Sequence, residues 1–296
     1  MADTKIEWAE KVWNPITGCS PISEGCDHCY AKRMANRLAG RYGYPADDPF
    51  RVTFHDDRLT EPFRVKKPHR IFVCSMADIF HDGVTERMLN AVWTTMSSAN
   101  WHTFIVLTKR PDRALKSLSK WGMDGLTLRS GHGSVLPNVW IGVTAENQAR
   151  ADERIPILLR IPAAVRFVSV EPMLGPVGLQ KAHGIYYDEH GCNLRKLDWV
   201  ICGGETGPGA RPVHPDWVRS LRDQCQASGV PFFFKQWGEW LPSECDPEYT
   251  TGPGLVRACP AGSGDPCCPG LWRRTGKKAA GRLLDGREWN EFPAKI

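Results

Sequence analysis

The stretch Val139-Trp-Ile-Gly-Val-Thr-Ala-Glu-Asn147 joins a continuous apolar run to a cluster of polar residues. Such runs are typical of strands that are buried on both faces, as in a parallel sheet covered by helices. The pattern recurs along the chain, and the candidate strands are Val52–His55, Arg70–Cys74, Thr103–Leu107, Val139–Val143, Arg166–Val170, Trp199–Cys202 and Phe232–Phe234.

The segments between these strands have the apolar spacing of amphipathic helices. From Val84 to Met96 the apolar residues share one helical face, and Pro111 stands in the first turn of the next helix. We expect Pro156 to divide the following crossover into a short helix and a turn, and Gly229 to end the last helix. Strand and helix alternate about six times, and this alternation predicts an α/β fold.

Each predicted strand is followed by a polar cluster of similar character, and this favours a barrel over an open doubly wound sheet. In a barrel the carboxyl ends of all strands meet at one mouth, where binding sites are built. We therefore expect a partial TIM-like barrel of the (β/α)6 type over residues 1–240, followed by a loop-rich, cysteine-containing extension over residues 241–296. The polar clusters are Ser75–Asp78, Thr108–Arg110, Thr144–Asn147, Ser169–Glu171 and Gly203–Glu205.

The composition excludes several classes of protein. With 296 residues, of which 42% are hydrophobic and 24% charged, the chain is globular rather than disordered. No apolar run reaches the roughly 18 residues of a membrane span, and the first residues lack the apolar stretch of a signal peptide. We therefore expect a cytoplasmic protein without membrane association. The net charge of +5 permits contact with nucleic acid but does not require it.

Eleven cysteines need an explanation other than disulfides in a chain expected in a reducing compartment. The segment Trp13-Asn-Pro-Ile-Thr-Gly-Cys-Ser-Pro-Ile-Ser-Glu-Gly-Cys-Asp-His-Cys-Tyr30 places Cys19, Cys26 and Cys29 before an amphipathic helix. Three thiolates without an evident fourth ligand leave one metal position open for chemistry. Two kinds of site fit this segment: a zinc ion held by the three cysteines with His28, or a four-iron cluster with one free iron.

Together with the predicted alternation of strands and helices, this segment resembles the radical S-adenosylmethionine superfamily, within a branch common in phages and prophages. The usual spacing there is C-x3-C-x2-C, whereas the first gap here has six residues. Further phrases resemble the phage branch specifically, and they are Ser75-Met-Ala-Asp-Ile-Phe-His81, Leu107-Thr-Lys-Arg-Pro111, Ser169-Val-Glu-Pro172, Gly203-Gly-Glu-Thr-Gly-Pro208 and Phe233-Phe-Lys-Gln-Trp-Gly238.

The resemblance implies a 4Fe-4S cluster whose irons are bound by Cys19, Cys26 and Cys29, with S-adenosylmethionine on the fourth iron. Electron transfer from the reduced cluster then cleaves the cofactor to methionine and a 5′-deoxyadenosyl radical, which abstracts a hydrogen atom from the substrate. In such enzymes the protein orients the cofactor and excludes water. An external electron donor of the flavodoxin or ferredoxin type is also implied.

The resemblance further implies cofactor-binding roles at the predicted mouth. Asp78, assisted by Ser75, is a candidate acceptor for the cofactor's ammonium group, with a turn or helix-capping role as the alternative. His28 either packs beside the adenine or faces solvent. The remaining candidates for ribose or carboxylate binding are Thr144, Glu146, Asn147, Ser169 and Glu171.

Other polar residues at the strand ends are candidates for substrate binding. Lys109 and Arg110 suit a cofactor carboxylate or a substrate phosphate, and a surface ion pair is the alternative for Arg110. The glycine pair before Glu205 permits close approach of a ligand. The candidate set is Lys109, Arg110, Gly204, Glu205, Arg211, Lys235 and Trp237.

The remaining cysteines fall into two groups. Cys74, Cys202 and Cys225 lie on apolar faces and are predicted to be small core residues. Cys192 gives no indication of a role. Four cysteines in the extension are candidates for a second metal site or cluster, or are free thiols, and these are Cys245, Cys259, Cys267 and Cys268.

Two functions of different classes follow from these features. The first is a radical enzyme that modifies or rearranges a nucleic-acid base or a nucleotide, with a free small molecule as a further substrate class. An enzyme acting on a base within a duplex must flip it out or act on single strands, so we expect a basic groove beside the mouth. The second is a non-catalytic, zinc-stabilised nucleic-acid-binding protein.

Overall fold

A computed structural model describes residues 1–123, 135–179, 197–242, 255–257 and 271–294. Its strands are β1 (Ala2–Asp3), β2 (Lys11–Trp13), β3 (Ile16–Thr17), β4 (Thr53–Phe54), β5 (Arg70–Val73), β6 (Thr103–Thr108), β7 (Val139–Thr144), β8 (Val165–Val170), β9 (Trp199–Gly203), β10 (Phe232–Gln236), β11 (Trp240–Pro242), β12 (Leu255–Arg257) and β13 (Leu271–Arg274). Its α-helices are α1 (Tyr30–Arg37), α2 (Glu86–Ser98), α3 (Pro111–Met123), α4 (Gln148–Arg160), α5 (Pro215–Ser228) and α6 (Lys277–Ala280).

The central sheet has eight strands in the order β1-β2-β5-β6-β7-β8-β9-β10. All neighbouring pairs are parallel except β1 with β2. Within the described residues β1 and β10 are the two edges, so the sheet is open and does not close into a barrel. The predicted α/β class and its mainly parallel sheet are therefore confirmed, and the strands follow one another in chain order.

One predicted strand has a different place in the fold. The candidate Val52–His55 contains β4, which pairs antiparallel with β3 in a separate two-stranded sheet. The first parallel strand is instead β2, which pairs with β5 through Trp13 and Val73. This strand has only three residues and includes a lysine, so it lacks the long apolar run that identified the others.

Capping side chains and proline positions fix the helices that connect the strands. Thr85 accepts a hydrogen bond from the Met88 amide at the start of α2, and Gly229 ends α5 in the left-handed conformation. The predicted interruption at Pro156 was wrong, because α4 continues through that residue to Arg160. Burial of Ile155 and Leu158 against the sheet accompanies this continuation.

Alternate residues of each strand enter two different apolar layers, as the period of a strand requires. In β6, Phe104 and Val106 belong to the layer that includes the buried faces of the connecting helices. Ile105 points to the opposite face, where it joins Trp199 in a second layer rich in aromatic rings. The second layer contains Trp8, Ala9, Ile105, Trp140, Val165, Phe167, Trp199, Ile201 and Phe233.

The C-terminal part contains regular structure that the composition did not predict. Strands β11, β13 and β12 form an antiparallel sheet in that order. Beyond α6, Leu284 and Trp289 are buried in the same core as the central sheet. The Glu291 carbonyl accepts a hydrogen bond from the Trp199 indole at 2.8 Å. The described residues after 276 are therefore packed onto the central sheet rather than projecting from it.

Among the described residues, none of the helices combines the length and the apolar character that crossing a membrane requires.

The close packing of β7 on β8 gives a stability prediction. Gly142 lies opposite Phe167, and a Cβ atom at Gly142 would be 2.4 Å from the phenyl ring. We expect Gly142→Ala to lower the free energy of unfolding by about 1–3 kcal/mol, since the buried ring must move. Urea unfolding of Gly142→Ala, Phe167→Leu and the double variant would measure this effect.

In the double variant the added cost of Gly142→Ala should shrink, because the smaller side chain leaves room for the new methyl group. Gly175→Ala is the control, since its added Cβ would meet only Asn147 at an ordinary 3.5 Å. Equal costs of Gly142→Ala with and without Phe167 would contradict the packing explanation.

Candidate functional site

Two cavities lie at the carboxyl edge of the parallel strands. The first, here the cysteine cavity, has a volume of about 170 Å³ and is lined by Cys19, Cys26 and Cys29. The second cavity has a volume of about 270 Å³, and residues at the carboxyl ends of β8, β9 and β10 contribute to its lining. Both are lined by Gly25, Cys29, Ala31, Phe72, Ser75 and Leu107, so they adjoin one another.

The loop that follows β3 carries the three cysteines, and its first cysteine is fixed by backbone contacts. The amide of Gly18 donates to the Met76 carbonyl at 2.9 Å, and the amide of Cys19 donates to the Phe50 carbonyl at 3.1 Å. Gly18 has a φ of +89°, and a Cβ there would lie 2.1 Å from the Arg51 carbonyl oxygen. Only glycine fits this crossing of two chain segments.

A fully buried carboxylate fixes the second cysteine's turn. One oxygen of Glu146 accepts hydrogen bonds from Ser23 Oγ at 2.5 Å and from Lys109 Nζ at 2.6 Å. The other oxygen accepts from Arg154 Nη1 at 2.9 Å. Burial alone would raise the pKa of Glu146, but the charges of Lys109 and Arg154 outweigh it and lower the pKa. Glu146 therefore remains ionised and ties the cysteine loop to α4.

Two cations contact cysteine sulfurs directly. Lys109 Nζ lies 3.6 Å from Cys26 Sγ, and Arg110 Nη1 lies 3.6 Å from Cys19 Sγ. Burial opposes ionisation of Cys26, but Lys109 and nearby backbone amides outweigh it and lower the thiol's pKa. The pKa of Cys19 is raised, because burial and the charge of Asp78 exceed the opposing effect of Arg110. Both cations, predicted to bind substrate, are engaged at the cysteine cavity.

The three thiols share a cavity without forming a single-ion site. Among the described residues, no three side chains of His, Cys, Asp or Glu are grouped so that they could hold one metal ion. In an iron–sulfur cluster each cysteine binds a different iron. The three sulfurs must therefore lie around a whole cluster rather than around one ion. Three thiols line this cavity, and cysteine thiols are the ligands that such clusters use.

Asp78 lies in the wall of the cysteine cavity with both carboxylate oxygens already hydrogen-bonded. It accepts from Thr108 Oγ1 at 2.8 Å, from the amides of Phe80 and Lys109, and from Arg110 Nη1 at 3.2 Å. The bond from the Phe80 amide is the turn role considered as an alternative for this residue. Neighbouring Ser75, which lines both cavities, donates to the side-chain oxygen of Asn14 at 3.2 Å.

The three candidates that end β7 lie in different environments. Thr144 lines the cysteine cavity, whereas Glu146 is buried behind the cysteine loop. Asn147 caps α4 by accepting a hydrogen bond from the Arg150 amide at 3.1 Å, and its amide nitrogen donates to Glu24. Asn147 lines neither of the two cavities, and its side-chain groups are used within the protein.

The second cavity contains an ion pair and a buried hydroxyl without a partner. Lys235 Nζ lies 2.5 Å from Glu171 Oε1, and both side chains are mostly buried. The hydroxyl of Ser169 is buried in the wall of this cavity and has no hydrogen-bond partner among the described residues. An unsatisfied buried hydroxyl is costly, and a ligand that hydrogen-bonded to it would remove that cost. His28 also lines the cavity, with Nδ1 3.2 Å from Glu205 Oε2.

Glu205 and Arg211 connect the turn after β9 to the cysteine loop. Arg211 donates to the two carboxylate oxygens of Glu205 at 2.6 and 2.8 Å. Nη2, which donates to Glu205, also donates to the Glu24 carbonyl at 2.9 Å, and Nη1 donates to the Asp27 carboxylate at 3.2 Å. Burial would raise the pKa of Glu205, but the hydrogen bonds from Arg211 lower it. Both residues were predicted to bind substrate, but in the structure they hydrogen-bond to each other and Arg211 also binds the cysteine loop.

Two further predictions for the mouth have different outcomes. Gly204 lines the second cavity, and a Cβ there would lie 2.0 Å from the Trp237 carbonyl oxygen, so glycine is required by the neighbouring chain. Trp237 itself lines neither of the two cavities. Its ring is buried against Phe234, and its indole donates to the Leu283 carbonyl at 2.9 Å. It anchors the C-terminal segment instead of closing the pocket.

Sequence reasoning missed several residues that build the site. Ser23 and Arg154 hold Glu146, and Asn14 positions the turn that contains Ser75 and Met76. Arg154 gave no local indication, because charged residues on helices are ordinarily exposed, whereas its side chain is 1% exposed.

The three cysteines predicted to be core residues are buried. Burial raises the pKa of Cys74 to about 12, and it also raises the pKa values of Cys202 and Cys225. These thiols are therefore protonated and unreactive at neutral pH. The candidate second metal site lies outside the described residues, as do all five of the remaining cysteines, Cys192, Cys245, Cys259, Cys267 and Cys268.

Fold and site together define an α/β protein with a cysteine-lined cavity at the carboxyl edge of a mainly parallel sheet. The chain belongs to a family described as "Protein of unknown function (DUF5131)", whose model matches residues 3–293. No curated protein and no solved structure matches the chain.

The buried Glu146 network gives a second stability prediction. Glu146→Ala would leave Arg154, whose side chain is 1% exposed, without its carboxylate partner. Because breaking a buried ion pair leaves an uncompensated charge, we expect the free energy of unfolding to fall by about 3–5 kcal/mol. Chemical denaturation would measure the loss.

The matched control is Glu153→Ala, which removes a half-exposed carboxylate from α4, the helix that carries Arg154. Its expected cost is below about 1 kcal/mol, as for surface ion pairs. Similar losses for the two variants would contradict the proposed importance of the buried pair.

His55 gives a pH-dependence prediction for the region of the small sheet formed by β3 and β4. Burial, together with the charge of Arg58, lowers the pKa of His55 to about 4, and the ring lies 2.8 Å from Thr17 Oγ1. In the unfolded chain a histidine titrates near pH 6.5, so the unfolded state takes up the proton first as the pH falls. Stability is therefore fully present above about pH 6.5 and is lost as the pH falls towards 4.

Unfolding free energies of the wild type and of His55→Gln, measured from pH 7 down to 4.5, test this linkage. The variant should lose less stability over that interval, even if it is less stable at pH 7. An unchanged pH dependence would mean that His55 does not carry the linkage.

Proposed function

We propose that this protein is a radical S-adenosylmethionine enzyme built on a partial TIM-like barrel. The observation that carries the proposal is that Cys19, Cys26 and Cys29, on the loop after the first parallel strand, line one cavity at the carboxyl edge of the sheet. Sites in parallel α/β proteins form at this edge. The sequence resemblance, carried by that loop and by the strand-end phrases, points to the same class of enzyme.

The order of the strands supports a partial barrel. Seven parallel strands from β2 to β10 follow one another in chain order. An open doubly wound sheet reverses its strand order at a switch point, whereas a barrel winds in one direction. An incomplete barrel has this winding and still leaves two open edges.

The residues present fit the implied cofactors by the chemistry of their donors. Cys19, Cys26 and Cys29 would bind three irons of a 4Fe-4S cluster, and Lys109 and Arg110 would offset the thiolates' negative charge. The unpartnered Ser169 hydroxyl in the adjoining cavity would donate to bound S-adenosylmethionine or substrate. When bound, this cofactor pair supplies a 5′-deoxyadenosyl radical that abstracts hydrogen from a substrate.

The two cavities have different proposed roles, one for the cluster and one for the substrate. The cysteine cavity has apolar walls, including Phe72 and Leu107, which exclude water from the cluster. Glu171 and Lys235 in the second cavity offer an acceptor and a donor side by side. Such a pair suits the polar edge of a nucleobase, and the proposed substrate is therefore a nucleic-acid base or a nucleotide, with electrons supplied by a flavodoxin or ferredoxin.

Anaerobic purification and reconstitution test the cofactor assignment. We expect about four irons and four sulfides per chain, a broad visible absorption, and 5′-deoxyadenosine after addition of dithionite and S-adenosylmethionine. Cys26→Ala should lose the intact cluster, because one iron loses its protein ligand. Cys225→Ala, which removes a thiol buried in the core away from the cavity, is the matched control and should keep the iron.

Three outcomes would contradict the proposal. A colourless protein with one zinc per chain at the three cysteines would support the zinc-stabilised binding protein instead. A reduced, intact cluster that yields no 5′-deoxyadenosine would contradict the S-adenosylmethionine assignment. A full cluster retained by Cys26→Ala would show that the ligand assignment is wrong.

A further inference from the structure

A basic segment without acidic residues begins beside the second cavity. Between Asp27 and Asp47 the chain has four cations, Lys32, Arg33, Arg37 and Arg41, and no Asp or Glu. None of the four cations forms a salt bridge with an acidic side chain in the described part of the chain. The two flanking aspartates are themselves engaged, Asp27 with Arg211 and Asp47 with Arg51.

The geometry of α1 brings Arg33 and Arg37 to one side of the helix. Tyr30, Arg33 and Arg37 are spaced by three and four residues, so their side chains lie along one helical face. Arg37 and Arg41 are exposed, and Arg41 Nη2 donates to the Arg37 carbonyl, so the line of positive charge continues beyond α1. Arg33 is half-buried and donates to the Thr206 carbonyl at 3.3 Å, beside the second cavity.

Exposed aromatic rings stand at both ends of this basic segment. The side chains of Tyr30 and Tyr42 are 58% and 75% exposed. The large apolar side chains exposed among the described residues are Ile22, Tyr30, Tyr42 and Leu283. Two of these four therefore bracket the basic segment. Positive charge interleaved with accessible rings is the composition of surfaces that bind single-stranded nucleic acid, where phosphates pair with cations and bases stack on rings.

The basic segment is continuous with the second cavity. Tyr30 is the first residue of α1 and also lines that cavity, together with Glu171 and Lys235. A strand lying along α1 would therefore have a base beside Tyr30 at the cavity's mouth. Enzymes that act on a base within a polymer must take it out of the stack and into a pocket.

We propose that α1 and the following turn are a docking surface for single-stranded nucleic acid, which delivers one base into the second cavity. Arg37 and Arg41 pair with backbone phosphates, and Tyr30 stacks on a base at the cavity entrance. This inference rests on the proposed function in that it assigns the substrate class, a polynucleotide, to the same site. Binding along α1 does not itself require the cluster.

Stacking favours nucleic acid over the other anionic partners. A membrane surface or an acidic protein would satisfy the arginines but gives no reason for two exposed tyrosines at the ends of the segment. Nucleic acid satisfies both features, because each nucleotide carries a phosphate and a π face. DNA and RNA share this chemistry, so the experiment tests both.

Fluorescence anisotropy with short labelled single strands, of DNA and of RNA, measures binding to the anaerobically reconstituted protein. Affinity should fall with salt, and Arg37→Gln/Arg41→Gln should reduce the logarithmic salt slope by about 0.7 for each phosphate that is no longer neutralised. Tyr30→Ala should weaken binding by about 5- to 150-fold, which is the range for one stacked base. The fluorescence of a 2-aminopurine in the strand reports on the stacking of that base. It should change when the strand binds the wild type, and the change should be lost with Tyr30→Ala.

The matched control is Lys116→Gln/Arg160→Gln, which removes two exposed cations from α3 and α4, away from α1. This variant should keep the wild-type slope, because its cations do not contact the strand. Equal effects of the two double variants would overturn the docking surface, since only net charge would then matter. Binding of free nucleotides as tight as that of strands would also overturn it.

The two proposals fail in different ways. If the wild-type protein holds a cluster and forms 5′-deoxyadenosine but the α1 variants bind strands normally, the docking surface is wrong and the enzyme class remains. If no cluster forms but strand binding depends on Tyr30, Arg37 and Arg41, the docking surface remains and the enzyme class is wrong.

Discussion

The arrangement of the site depends on one buried carboxylate. Glu146 follows β7, yet its oxygens accept hydrogen bonds from the cysteine loop through Ser23, from the end of β6 through Lys109, and from α4 through Arg154. Three segments that are far apart in the chain are held within hydrogen-bonding distance of one side chain. A Cβ at Gly25 would lie 2.4 Å from a Glu146 oxygen, so the loop lies directly against it. The position of Cys26 follows from this contact.

A buried charge network of this kind contributes more to arrangement than to net stability. Removing two cations and a carboxylate from water is costly, and their mutual attraction offsets that cost only when the geometry is satisfied. The same reasoning applies to Glu205 and Arg211, which connect the turn after β9 to Glu24 and Asp27. The cysteine loop is therefore tied to the rest of the protein by two buried carboxylates, through Ser23 to Glu146 and through Arg211 to Glu205.

The fold was predicted best from the sequence where one local physical effect dominates. Strand β7 is six consecutive buried residues, and burial on both faces leaves an unmistakable apolar run. Strand β2 has three residues and was missed, because its place in the sheet comes from pairing with β5. Pro156 was expected to end a helix, but packing of Ile155 and Leu158 accompanies a continuous α4. The cysteine loop was recognised from spacing alone. The partners of Lys109 and Arg110 were not predicted, because Ser20 and Cys26 lie more than eighty residues away in the chain.

The aromatic layer joins the C-terminal segment to the floor of the second cavity. Phe292 packs on Trp199 with ring centroids 5.2 Å apart, and Trp199 packs on Trp8 at 6.4 Å. Trp8 lines the second cavity. Two ring contacts thus connect residue 292 to a wall that a ligand would touch. The shape of the second cavity therefore depends on the packing of a C-terminal residue that does not itself line the cavity.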